Sequence, residues 1–228
     1  MKWFTQLFSS TLGYKVLMAL TGLFLILFLA VHLTGNLQLL KDDGGKAFNI
    51  YAEFMSTNPF VQTISKGNFT FILIHVIWAI ILSRKNKVAR GPEGYAITSG
   101  KSSHWTSRNM GILGTIILVF LVIHLKDFYG QMHYGNMATE NYDGHEARNI
   151  YAVVKDWFHI EWYVALYVFC MAAVGFHLWH GFASAFQTLG LNHLKYNGLI
   201  AFVGRAFAIV VPALFALIPI MMYFELTF

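Results

Sequence analysis

The sequence predicts an all-α integral membrane bundle of five transmembrane helices, and three observations carry that prediction. Apolar residue types make up 57% of the 228 residues and charged types only 12%, against about 25% charged in an ordinary soluble domain. Five stretches are free, or nearly free, of Lys, Arg, Asp and Glu, and with their flanks each reaches the roughly 20 residues that cross a bilayer. Those stretches are rich in Leu, Ile, Val and Phe without the alternation of a barrel strand. Helices then satisfy the backbone inside lipid. So little polar surface excludes a soluble enzyme, a disordered regulator and a disulfide scaffold. The single cysteine, Cys170, excludes an internal disulfide and the C-x-x-C-H attachment of a c-type haem.

The first span lies between Lys15 and Lys41, at about 14–38. The second lies between Lys66 and Arg84, and the third starts at Arg108 and runs to about 129. The fourth starts near 160. Its charge-free stretch from Glu161 to Lys195 holds 33 residues, too long for one crossing, so it leaves the membrane near 187. The fifth covers about 197–224 and contains Arg205 near its start. Residues 1–13 read as an amphipathic foot rather than a cleaved signal. No segment between spans exceeds about 35 residues, so 1–228 is a single membrane domain without room for a soluble catalytic unit.

The net charge of +5 would point to nucleic acid in a soluble protein. Here the cations sit in loops beside apolar runs and instead report orientation. One side holds nine Lys and Arg, four of them packed as Arg84, Lys85, Lys87 and Arg90, whereas the other holds six. The N-terminus is therefore cytoplasmic and the C-terminus outside.

Five of the ten histidines fall inside spans: His32, His75, His124, His177 and His180. Ionisable groups at membrane depth are costly and mark function. His32 lies 17 residues after Lys15 and His124 lies 16 after Arg108, so both sit toward the outer face of outward-running helices. His75 is mid-span, and His177 lies 16 after Glu161 on an inward-running helix. At 1.5 Å per residue, these form an outer pair and an inner pair. Two imidazoles fill both axial positions of a haem iron, so the pattern predicts two stacked haems b within the bundle. A flat macrocycle needs small residues beside it. Gly22 and Gly114 each stand ten residues before a histidine, within a fourteen-residue alignment of Leu20–Leu33 on Ile112–Leu125 that holds five identities. His180, one turn from His177, is the alternative ligand or a partner of a haem propionate. Arg205 is the other inner propionate candidate. The outer side offers only Asn36, Gln38 and Lys126.

These residues carry a resemblance. His32 is followed by Leu-Thr-Gly-Asn-Leu, and residues 49–55 read Asn-Ile-Tyr-Ala-Glu-Phe-Met. Residues 176–182 read Phe-His-Leu-Trp-His-Gly-Phe, with Gln-Thr-Leu-Gly at 187–190. From about 12 to 224 the chain resembles the dihaem cytochrome b membrane anchor of the succinate:quinone oxidoreductases, that is, succinate dehydrogenase or quinol:fumarate reductase. The resemblance implies an inner haem held by His75 and His177 and an outer haem held by His32 and His124. It implies a flavoprotein subunit with covalent FAD and an iron–sulfur subunit, docked on the cytoplasmic side of a bacterial inner membrane. It also implies a quinone, menaquinone in the dihaem type, and a dimer of the whole complex. Succinate chemistry then lies on the partners and not on this chain.

Quinone reduction consumes protons at the membrane edge, and Glu53, in an aromatic stretch outside the first two spans, is the candidate relay. No Asp or Glu lies deep in any span, and position 175, two before His177, is glycine. A carboxylate proton channel across the bilayer is not expected. The alternative reading is the haem subunit of another membrane oxidoreductase, such as a formate dehydrogenase or hydrogenase. A transporter of hard or borderline cations would want carboxylates beside the histidines.

Overall fold

The computed structural model describes residues 8–91 and 105–227. Most of the expected amphipathic foot and part of the basic loop after Arg90 lie outside the described residues.

Helix α1, Thr11–Asn36, starts where the Ser10 hydroxyl accepts the Gly13 amide at 3.0 Å, which satisfies one orphan donor of the first turn. It runs on into a 3-10 turn, Leu37–Leu40. Helix α2 is Lys46–Thr57 and helix α3 is Pro59–Arg90. The Asn58 side chain caps α3 by accepting from the amides of Phe60 and Val61, and Pro59 occupies the first position, where an N–H is not needed. Helix α3 is longer than its charge-free core of 66–84, because Lys and Arg are good helix formers and do not end the helix; Lys85 Nζ lies 4.5 Å over the Tyr14 ring of α1.

A helical turn at Trp105–Arg108 leads into α4, Met110–His124. Directly after His124 the helix widens into a π-turn, Leu125–Tyr129, before a last α turn, Gly130–Tyr134. Strands β1, Thr139–Tyr142, and β2, His145–Arg148, form an antiparallel hairpin. The all-α expectation lacks this hairpin. Its cause is the two-residue turn Asp143–Gly144, with φ of 54° and 91°, a pairing that suits the right-handed strand twist. Helix α5, Ile150–Phe158, comes next, then α6, Glu161–Thr188, and α7, Asn197–Tyr223.

Among the described residues five helical segments are long and apolar enough to cross a membrane: Thr11–Leu40, Pro59–Ala89, Met110–Tyr134, Glu161–Thr188 and Asn197–Tyr223. The chain is therefore a mostly helical, multi-pass membrane protein. Large apolar side chains face outward, with Leu73, Val122 and Phe202 63%, 62% and 70% exposed. Such a surface would aggregate in water and is what lipid requires.

Helix α6 is the most buried. It packs on α1, α4 and most closely on α7, while α1 also holds α3. The α6–α7 approach rests on glycine. A Cβ at Gly175 would lie 3.0 Å from the Ala208 carbonyl oxygen, and one at Gly204 would lie 2.6 Å from the Phe182 ring. Small residues at such crossings let the backbones approach. The glycine at 175 is thus a packing position in which a carboxylate has no space.

One end of the bundle, the end that the charge count assigns to the outside, is closed by α2, the hairpin and α5. Asn49 of α2 is fully buried and fully used. Its amide nitrogen donates to the Tyr142 hydroxyl at 2.8 Å and to Asn149 Oδ1 at 3.0 Å, and its oxygen accepts the Tyr151 amide at 2.8 Å. Gly35 leaves room for Tyr51, whose ring would otherwise lie 2.4 Å from a Cβ. The two sequence phrases that begin at His32 and Asn49 therefore pack on one another.

Candidate functional site: two histidine pairs in the bundle

The span histidines meet in two pairs. The rings of His32 on α1 and His124 on α4 have centroids 5.8 Å apart. Those of His75 on α3 and His177 on α6 are 6.4 Å apart. Two imidazoles on opposite faces of one metal, each bonded at about 2.0–2.1 Å, hold their ring centres roughly 6 Å apart. Both pairs have that spacing. Among the described residues no three His, Cys, Asp or Glu side chains converge as a metal-ion site; the histidines come together in twos.

The surroundings differ between the pairs. The outer one is ringed by aromatic side chains. His32 stacks on Phe28 at 5.1 Å and lies 5.7 Å from Phe215, and His124 lies 5.6 and 5.4 Å from Phe120 and Phe128. The inner one is flanked by glycines. A Cβ at Gly22 would lie 3.4 Å from His75 Cε1, and one at Gly114 would lie 4.0 Å from His177 Cε1. Each glycine serves the pair at the other level, not the histidine ten residues on in its own helix, because ten residues carry a helix about 15 Å.

Hydrogen bonds set the protons on His75. The Thr21 hydroxyl has one proton, which it gives to the carbonyls of Leu17 and Met18 at 2.9 and 3.1 Å. With that proton on either carbonyl, Thr21 faces His75 Nδ1, at 3.2 Å, as an acceptor. In that arrangement His75 carries its proton on Nδ1 and keeps a bare Nε2, the form a metal needs. The Nδ1 of His177 is buried without a hydrogen-bond partner, an open valence in the same pocket. His177, rather than His180, has its ring against His75.

His180 lines a separate cavity of about 250 Å³, toward the end of the bundle that the charge count assigns to the cytoplasm, with Thr106, Trp179, Ser184, Gln187 and Arg205. The Arg205 guanidinium lies 5.5 Å over the Trp179 ring, and the Thr106 hydroxyl is buried without a partner. A cation, a buried hydroxyl and an imidazole one turn from His177 suit an anionic group that extends from the inner pair.

Glu53 stands in the outer cap. Its carboxylate takes Arg148 Nε at 2.9 Å and Nη2 at 3.2 Å, and the backbone amide of Arg148 at 3.3 Å. The same guanidinium donates to Ser56 Oγ at 2.8 Å and to the Met132 carbonyl. Burial pushes the Glu53 carboxyl up, but the Arg148 hydrogen bonds and charge outweigh it and hold the group below the usual carboxylate range. Arg148 escaped the sequence reading because it is 95 positions away.

Asp127, Tyr163 and Tyr167 also escaped it. Asp127 is 4% exposed, turned inward by the π-turn. The signal available was two tyrosines four apart in the outer half of α6, on one helix face.

Compared with family models, curated proteins and solved structures, the chain finds no match in any of the three.

Proposed function

We propose that the chain is the membrane anchor and electron-transfer subunit of a succinate:quinone oxidoreductase. In this reading it links flavin and iron–sulfur subunits, docked on its cytoplasmic basic face in a bacterial inner membrane, to a membrane quinone. The observation that supports it best is the pair of two-histidine contacts on four helices, each with the spacing of axial ligands. His75 and His177 would hold the inner haem b, with Gly22 and Gly114 leaving room beside them and Thr21 presenting the bare Nε2 of His75. His32 and His124 would hold the outer haem b inside the aromatic ring. Arg205 and His180 would take the inner propionates. When bound, a haem with both axial positions filled passes single electrons and offers oxygen no open site.

Levels about 15 Å apart along the helices then span much of the roughly 30 Å apolar core. At the outer edge, Glu53 must release Arg148 before it can take a proton, so its use as a quinone proton relay is tied to opening of the cap.

The test is optical and compositional. The purified chain should show b-type bands in a reduced-minus-oxidised spectrum, with two haems per polypeptide, and should co-purify with a covalent-flavin polypeptide. A colourless chain after reconstitution overturns the reading. Two haems without a flavin partner move the chain to another membrane oxidoreductase.

A further inference from the structure

Asp127, Tyr163, Tyr167 and His124 lie in one line. The Tyr163 hydroxyl is 2.9 Å from Asp127 Oδ2, the two tyrosine oxygens are 3.3 Å apart, and the Tyr167 hydroxyl is 3.2 Å from His124 Nδ1. Lys126 closes the outer end, with its Nζ 3.2 Å from Asp127 Oδ1.

Counting protons gives the line a direction. The Asp127 carboxylate, paired with Lys126, only accepts, so Tyr163 donates to it. A phenol has one proton, so toward Tyr167 the Tyr163 oxygen is the acceptor, and Tyr167 donates. Tyr167 has then given its proton away and can only accept from the Nδ1–H of His124. That leaves Nε2 of His124 bare.

The backbone supports the arrangement. In the π-turn after His124 the Gly130 amide reaches back to the Leu125 carbonyl. The extra residue in this turn rotates the rest of the helix relative to α4. Lys126 faces out, its side chain 79% exposed, whereas that of Asp127 is only 5% exposed. Both tyrosines are buried, Tyr163 to 1% and Tyr167 to 5%.

The geometry points to Asp127, Tyr163 and Tyr167 as positioning residues: a directed hydrogen-bond chain that holds His124 with Nδ1–H donated and Nε2 presented to the iron of the outer haem. This rests on the haem reading above. An acceptor on the far nitrogen makes an imidazole a stronger donor to its metal, so the chain favours the ferric state of the outer haem. His177, with Nδ1 unpartnered, has no counterpart.

Two measurements test it on the full-length chain. In the haem-loaded protein, redox titration with EPR of the ferric signals should show that Tyr167→Phe shifts the outer haem toward ferrous about tenfold, about 59 mV for one electron. Asp127→Asn should shift it less in the same direction, with the inner haem unmoved in both. Asp127→Asn together with Tyr167→Phe should go no further than Tyr167→Phe alone, because the first link is already cut. An unmoved outer potential, or shifts that simply add, overturns the chain. If Tyr167→Phe does not fold, Asp127→Asn alone decides.

In the haem-free protein, the imidazole ¹⁵N spectrum should show His124 with a protonated Nδ1 and a bare Nε2, and a mixture of tautomers in Tyr167→Phe. A mixture in the unaltered protein also overturns the chain. A fixed tautomer in a protein that takes up no haem sinks the functional reading and leaves the positioning geometry standing.

Discussion

The outer and inner histidine pairs have nearly the same ring spacing and are built in opposite ways. The outer pair, 5.8 Å apart, is walled by Phe28, Phe120, Phe128 and Phe215 and anchored through Tyr167 to a buried carboxylate. The inner pair, 6.4 Å apart, owes its room to Gly22 and Gly114 and its orientation to one threonine hydroxyl. An acceptor anchored in a carboxylate raises ligand basicity, and a threonine oxygen does so far less. Two chemically identical ligand sets would thus differ in donor strength through their second partners alone.

The comparison can be broken from either side. The largest effect is expected from ligand removal. His75→Ala should abolish the inner b-type signal and electron flow to quinone, while His32→Ala abolishes the outer signal. Circular dichroism should show the helices of both variants largely kept. Loss of both signals from either single change would mean the pairs are not independent sites.

Next is Gly22→Leu. A Cβ there is already 3.4 Å from His75 Cε1, so branched carbons beyond it must displace the ring. The inner haem should be lost and the outer kept, measured by haem content and redox titration. Gly22→Ala, at an ordinary contact distance, should change little.

The smallest effect concerns the outer cap. Glu53 and Arg148 side chains are 24% and 29% exposed, and breaking such a half-buried pair costs about 1–2 kcal/mol. The folded-state carboxyl is held below its usual range, so its stabilisation is present above that range and is lost as pH falls through the lowered value. Protection of the α2 amides, meaning exchange relative to its intrinsic rate at each pH, should therefore fall on acidification in the unaltered protein. In Glu53→Gln that protection should be low already at neutral pH, with a flatter dependence on pH.

The legible part of this molecule is the part that lipid dictates. Charge-free runs can be counted without partners, and helical rise converts a residue number into a depth, so the five crossings and the two levels of histidines could be read directly. Contacts across the chain could not. The Glu53–Arg148 and Asn49–Asn149 bonds join positions 95 and 100 apart, and no local pattern encodes them. The hairpin is signalled only by Asp143–Gly144, because its two strands are four residues each and mostly exposed, with no apolar alternation to mark them. Gly22 and Gly114 are marked in the sequence by their spacing to histidine, yet their neighbours belong to the other level, which only the packing of four helices reveals.

The fully used amide of Asn49 also has a consequence for how the molecule is made. Its partners Tyr142, Asn149 and Tyr151 leave the ribosome about a hundred residues after it. At roughly 5–20 residues per second, the first two crossings wait on the order of ten seconds before anything can close over them. Asn49 therefore stays unsatisfied until the hairpin and α5 have been made, so closure of this cap is a late event in assembly of the bundle.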